Sequence, residues 1–253
     1  MNKLIKKVII CTATITCSLV STSTISYANN NSSINPQTIH IEDKIITYKT
    51  NDNLKCSYDL DTGKFKIDGI GSVVITTTVT EIYDTSLTEE EYLELDKQKT
   101  IESFQNLKNS VSTYEYNATG IPSNAPCTPA ATFKKNIGQI VGEVAEVLTQ
   151  LSNITKLFSC PGIPYSGMFD AISKITGLTG NILSAASSKI TSDWAYDLEK
   201  TNSTYTVGNT TQYGYRYCNK RIIMHPIIKG KQYSSTTYNY GKKGTWWVNQ
   251  KPY

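Results

Sequence analysis

Thr132 to Ile190 reads TFKKNIGQIVGEVAEVLTQLSNITKLFSC, then PGIPYSG, then MFDAISKITGLTGNILSAASSKI. How this stretch is read decides the fold. In its first run Ile137, Ile140, Val141, Val144, Leu148, Leu151, Ile154 and Phe158 recur at steps of three and four. That spacing predicts one apolar face of an α-helix. Met168, Ile172, Ile175, Leu178, Ile182, Ala185 and Ala186 repeat the pattern. Between the runs, Cys160-Pro161-Gly162-Ile163-Pro164 cannot continue a helix, because each proline lacks a donor and restricts the residue before it. The expectation is a central amphipathic helical hairpin over residues 131–190, with Ile140, Val144, Leu178 and Ile182 on its apolar face.

Two uses of such a hairpin compete. Between Lys174 and Lys189 there is no charge, and Gly177, Gly180, Ala185 and Ala186 make the second helix small-faced. Small residues let helices approach closely in membranes and in soluble cores alike. A span needs about 20 apolar residues, and Asp170, Lys174 and Asn181 interrupt this one. It would enter lipid only as part of a bundle or lie in the interface.

Upstream, Lys3, Lys6 and Lys7 precede an apolar run from Val8 towards Val20, and Ser26-Tyr27-Ala28 offers small side chains at a cleavage site. This pattern predicts a secretory leader over residues 1–28, cleaved after Ala28, and export of the rest. Removing the leader takes three lysines and no acid, leaving 22 basic against 21 acidic side chains. The near balance hides an asymmetry. From Ser203 onward there are eight Lys or Arg and no acid. Cys11 and Cys17 leave with the leader; Cys56, Cys127, Cys160 and Cys218 remain, an even count that favours two disulfides in an exported chain. Of the three pairings, Cys127–Cys160 is disfavoured, since a continuous helix between them would be about 37 Å long and bonded cysteines need Cα atoms within about 7 Å.

Residues 29–130 predict a β-rich region. Thr38 to Tyr48 is rich in Ile and Thr, and Leu54 to Ile67 forms a hairpin about Asp61-Thr62-Gly63. Ser72 to Tyr83 is dense in β-branched residues, as strands are. Thr88 followed by Glu91 fits a capping box, so an acidic helix is expected near 88–107. Thr191 to Lys200 suits either a helix or a strand, since Trp194, Tyr196 and Leu198 alternate. Residues 191–253 otherwise read as a Tyr- and Lys-rich antiparallel meander. The fold class expected is α+β: an N-terminal small sheet with an acidic helix, the central hairpin, and the basic aromatic β region.

Enzyme signatures are missing from the sequence. His40 and His225 are the only histidines, and neither belongs to a metal-ligand cluster. No nucleophile elbow, phosphate loop or dinucleotide fingerprint appears. Cys218 and His225 are the nearest approach to a nucleophile and its base; a disulfide cysteine and an ordinary histidine are the plainer reading. No cofactor or metal is expected. The contact residues expected are Lys220, Arg221, Lys242, Lys243, Trp246 and Trp247, within a segment that also carries Tyr233, Tyr238 and Tyr240. Cations attract anionic lipid or wall polymer, and Tyr and Trp favour the water–hydrocarbon boundary. A Tyr-rich soluble sheet with a solvated basic face needs no such partner. For an exported chain, envelope polymers are better partners than nucleic acid.

The leader, the hairpin at LDTGKFKIDG, the small-residue helical run and the Tyr/Lys-rich closing strands ending at Trp246-Trp247 together resemble a family of secreted Gram-positive bacteriocin-like proteins typified by geobacillin 26. The resemblance is one of architecture and matches no motif. It implies antimicrobial action on a target cell envelope, by membrane binding and perturbation, and an immunity protein as a further partner. A non-catalytic wall-binding or adhesion module, and a hydrolase with a Cys/His site, are the alternatives.

Overall fold

The stretch with helical periodicity divides between strand and helix in the computed structural model, which describes residues 34–109, 120–157, 190–228, 231–240 and 243–249. In chain order the elements are β1 (Ile34–Glu42), β2 (Ile45–Thr50), β3 (Lys55–Asp59), β4 (Lys64–Ile67), β5 (Gly71–Ile82), α1 (Glu89–Asn109), β6 (Cys127–Ile137), β7 (Val141–Gly142), α2 (Val144–Leu157), β8 (Ile190–Val207), β9 (Thr210–Ile228), β10 (Lys231–Gln232), β11 (Thr236–Tyr240) and β12 (Trp247–Val248). All twelve strands of the described residues belong to one sheet, in the order β1-β2-β3-β4-β5-β6-β8-β9-β10, with β7 beside β5 and β11 and β12 beside β9. Every pairing is antiparallel.

The expected α+β class with a central helical hairpin is therefore corrected to a large antiparallel sheet with, among the described residues, two short helices. The strand β6 crosses the expected boundary at residue 130, and one sheet runs through all three regions downstream of the leader. Among the described residues of the stretch only α2, the end of the first run, is helical; Leu178 and Ile182 lie outside the described residues.

Two features explain the difference. Phe133, Lys135 and Ile137 are buried while Lys134 and Asn136 face outward, the period-two pattern of a strand. The buried lysine disguised that pattern. Further on, Gly142 has φ 99° and sits so close to β5 that a Cβ there would lie 2.0 Å from the Ile70 carbonyl oxygen. This backbone conformation belongs to glycine, and it delays the helix until Val144.

Both helices pack on one face of the sheet. In α2, Val147, Leu151 and Ile154 are buried in a core with Ile46, Phe65, Ile67 and Phe104. Ile140, just before β7, joins the same core. Each such side chain stabilises by about 1.5–3 kcal/mol relative to exposure. The helix α1 begins where the capping box predicts: the Thr88 amide donates to Glu91 Oε2 at 2.8 Å and the Glu91 amide to Thr88 Oγ1 at 3.3 Å. Its Tyr92 and Leu95 enter a second core with Phe133, Tyr196, Leu198, Tyr217 and Trp247. Among the described residues no helix is long and apolar enough to cross a membrane.

The long strands β8 and β9 dominate the C-terminal half. Their register shifts between Ala195 and Asp197, where β9 carries one extra residue and Asn219 has φ 47°. That is a β-bulge.

Candidate functional site

The cations expected to meet an envelope are largely engaged by acids of β8. Asp197 and Glu199 face outward across from Cys218 and Arg216. Arg216 Nε donates to Glu199 Oε2 at 2.7 Å, its Nη1 donates to the Ser123 carbonyl at 2.7 Å, and its guanidinium lies 4.1 Å from the centre of the Trp246 ring. Lys243 reaches the same carboxylate at 2.9 Å. Arg221 pairs with Asp197 at 3.3 Å. Lys220 is buried, and so are Trp246 and Trp247. Trp247 packs beside Tyr215 and Tyr217 in the second core. Of the six expected contact residues, Arg221 is half-buried and Lys243 exposed; Lys242 lies outside the described residues. An acid at Asp193, Asp197 and Glu199, always an even number of positions apart, was the legible sign that β8 presents a charged side to β9.

The Cys218–His225 dyad does not form. Cys218 opposes Asp197 while His225 opposes Thr191, far along the strand. Burial, with Glu199 beside it, pushes the Cys218 thiol up to about 12, so it is not a thiolate. Cys56, Cys127 and Cys218 are all free, and Cys160 lies outside the described residues. At least one strand separates any two of the three in the sheet. Neighbouring strands are about 4.8 Å apart, so even Cys127 and Cys218, astride β8, exceed the reach of about 7 Å for a disulfide. A water-soluble thiol reagent at pH 8 is therefore expected to leave Cys56 and Cys218 unmodified in the native protein and to label both after unfolding. Rapid native labelling of either would contradict this burial.

His225 instead joins a different relay. Its Nδ1 lies 2.8 Å from Ser235 Oγ and its Nε2 lies 3.1 Å from Asp193 Oδ2. Asp193 also accepts from Lys134 at 2.8 Å and from Asn136. Burial would raise the Asp193 carboxyl, but these donors and His225 hold it below the ordinary carboxylate range. One neutral tautomer, with hydrogen on Nε2, satisfies both contacts of the ring. The order nucleophile, base, orienter matches a hydrolytic triad in its two hydrogen bonds. Acyl transfer also requires donors for an oxyanion and a cleft for substrate. The two cavities described below, of about 220 and 260 Å³, are lined by neither Ser235 nor His225.

Under α1 lies a buried polar network. Asp96 of α1 accepts from Lys135 Nζ at 2.8 Å, from Tyr196 hydroxyl at 2.6 Å and from Tyr217 hydroxyl at 2.9 Å. It borders a cavity of about 220 Å³ whose rim carries Asp61 and Lys97, themselves paired at 2.5 Å. Both Asp96 oxygens are engaged. The network ties α1 to β6, β8 and β9.

The opposite face of the N-terminal strands is open to solvent. Lys49, Lys55, Lys64 and Lys66 alternate there with the buried Tyr48, Cys56, Phe65 and Ile67. A second cavity, of about 260 Å³, opens there between Lys49, Lys55, Thr38, Thr47, Ser57 and Asp68. Among the described residues no group of three or more His, Cys, Asp and Glu is arranged to hold a metal ion. Scanned against protein-family models, curated proteins and solved structures, the chain matches none.

Proposed function

We propose that this chain is an exported, non-enzymatic protein of the bacteriocin-like kind that acts by binding the envelope polymer of a target cell. The observation that carries the reading is the lysine-bearing outer face of β2, β3 and β4, which no described element covers. The leader-like residues 1–28 and the architectural resemblance to geobacillin 26-like proteins point the same way. Insertion of a helical hairpin has less support. Val147, Leu151 and Ile154 would have to leave the core, at a cost of about 1.5–3 kcal/mol each. What favours membrane perturbation as a second reading is the charge-free run between Lys174 and Lys189.

Purified chain lacking residues 1–28 separates these readings. Expected are co-sedimentation with isolated cell walls that weakens with salt, no dye release from anionic or neutral vesicles, and no labelling of Ser235 by a fluorophosphonate probe. Failure to bind walls overturns the proposal. Dye release from anionic vesicles transfers it to the membrane reading, and a labelled Ser235 to a hydrolase.

A further inference from the structure

We infer that the outer face of β2, β3 and β4 is an anion-binding site whose occupant is a linear phosphodiester polymer of a cell wall. This deepens the envelope-binding reading and rests on it.

In the antiparallel register of β2 and β3, Lys49 stands directly opposite Lys55. Both side chains point to the solvent face, because Tyr48 and Cys56, their neighbours, are buried. Directly opposed residues have Cβ atoms about 4.5–5.5 Å apart, and like charges there destabilise the sheet. A sheet under no other constraint would place an acid or a threonine at one of the two positions. On the next strand Lys66 stands opposite Ser57, and Lys64 opposite Val74 of β5.

Asp68, which also lies within the field of Lys55, relieves this crowding only in part. Asp68 is engaged by Lys66 at 2.7 Å, and Asp52 sits in the exposed turn that joins β2 to β3. Lys49, Lys55 and Lys64 make no ion pair among the described residues.

A shared anion removes the conflict. Lys49 and Lys55 line the 260 Å³ cavity together with Thr47, Ser57 and Asp68, and their ammonium groups, with the two hydroxyls, supply donors suited to one phosphate. Lys49, Lys55 and Lys66 come from three successive strands, at lateral steps of about 4.8 Å. Lys49 and Lys55 thus share one row, and Lys66, in the adjoining row of Thr47 and Ser57, extends them into a band of cations, which suits a chain of repeated charges. A bilayer fits less well. The exposed apolar side chains on this face, Ile45 and Val74, are aliphatic, and the face lacks the Tyr and Trp of an interfacial belt.

The test uses chain lacking residues 1–28 and four probes: poly(glycerol phosphate), polyglutamate, neutral dextran and phosphatidylglycerol vesicles. Titration is expected to show preferential binding of poly(glycerol phosphate). The double variant K49Q/K55Q is expected to lose at least tenfold in affinity, and its slope of log K against log salt to shrink by about two, as for other polyphosphates. Its melting temperature is expected to hold or rise, since the opposed charges are gone, which separates a lost site from a damaged fold. The control Lys231→Gln, on β10, is expected to bind as the parent does. Unchanged affinity of K49Q/K55Q for a polymer the parent binds overturns this site but leaves envelope binding standing. Preference for vesicles or polyglutamate overturns the phosphodiester assignment. No binding to wall or any polymer overturns both.

Discussion

Asp96→Ala is expected to lower stability by about 3–5 kcal/mol, the cost of removing one partner of a buried ion pair. The side chains of Asp96 and Lys135 are 7% and 8% exposed. Deleting the carboxylate leaves a buried ammonium facing the Tyr196 and Tyr217 hydroxyls, which lose their shared acceptor. The midpoint of urea unfolding should move with an unchanged slope, the mark of altered stability rather than altered compactness. Tyr196→Phe and Tyr217→Phe should each cost about 1 kcal/mol, as single hydrogen bonds do. The combination D96L/K135M should recover most of the loss, because two apolar side chains replace the pair. A shift below about 1 kcal/mol for Asp96→Ala would mean the network does not anchor α1.

Glu199→Ala should cost a similar amount. Glu199 is the carboxylate against which the Arg216 guanidinium, 6% exposed, is neutralised. Lys243 and the Cys127 thiol also donate to it. Without it Arg216 retains the Ser123 carbonyl and the Trp246 ring but no counter-charge. A pH dependence accompanies this loss. Burial would raise the Glu199 carboxyl, yet Lys243 and Arg216 outweigh it and hold the group below its ordinary value. The unfolded chain then takes up the proton first as acid is added. The stabilisation is complete above the ordinary carboxylate range, about pH 4, and disappears as pH falls through the lowered folded value. Asp193 behaves the same way. Urea unfolding from pH 7 down to pH 3 should therefore show a shallower acid decline in Glu199→Gln than in the parent. An identical decline would exclude Glu199 as a source of acid sensitivity.

Local signals in the sequence were sound where local chemistry decides structure. The Thr88/Glu91 box marks the start of α1, and the β-branched run at Ser72 to Tyr83 is nearly coextensive with β5. The failure at Thr132 has a non-local cause. Lys135 occupies an inward position because Asp96, 39 residues away, waits there for it. No windowed count of apolar residues can see such a partner, and Ile137, Ile140 and Val141 fit a helical period by spacing alone. The same reasoning applies to the candidate site. Eight C-terminal cations without an acid look like a docking face until β8 lies against β9 and Asp197 and Glu199 answer Arg216, Arg221 and Lys243. The lysines of β2 to β4, by contrast, drew little notice in sequence. Their meaning depends on register, which sets Lys49 against Lys55.

The extra residue at Asn219 carries a consequence for how this chain tolerates insertions and deletions. A β-ribbon counts by twos, and the bulge changes odd to even partway along β9. Before it, Arg216 and Cys218 lie on the side of the strand that carries Asp197 and Glu199; beyond it, Arg221 and His225 do, leaving Ile222 and Met224 for the core. Deleting Asn219 would turn the bulge into a regular ladder, with Arg221 still opposite Ala195 and Ile222 and Met224 still facing the core. Trimming one residue at the turn, where only Gly208 and Asn209 join the paired Val207 and Thr210, would instead slip the β8–β9 register by one and turn side chains to the wrong face. Two single-residue deletions in the same hairpin should thus have opposite fates, one abolishing the fold and the other passing almost unnoticed.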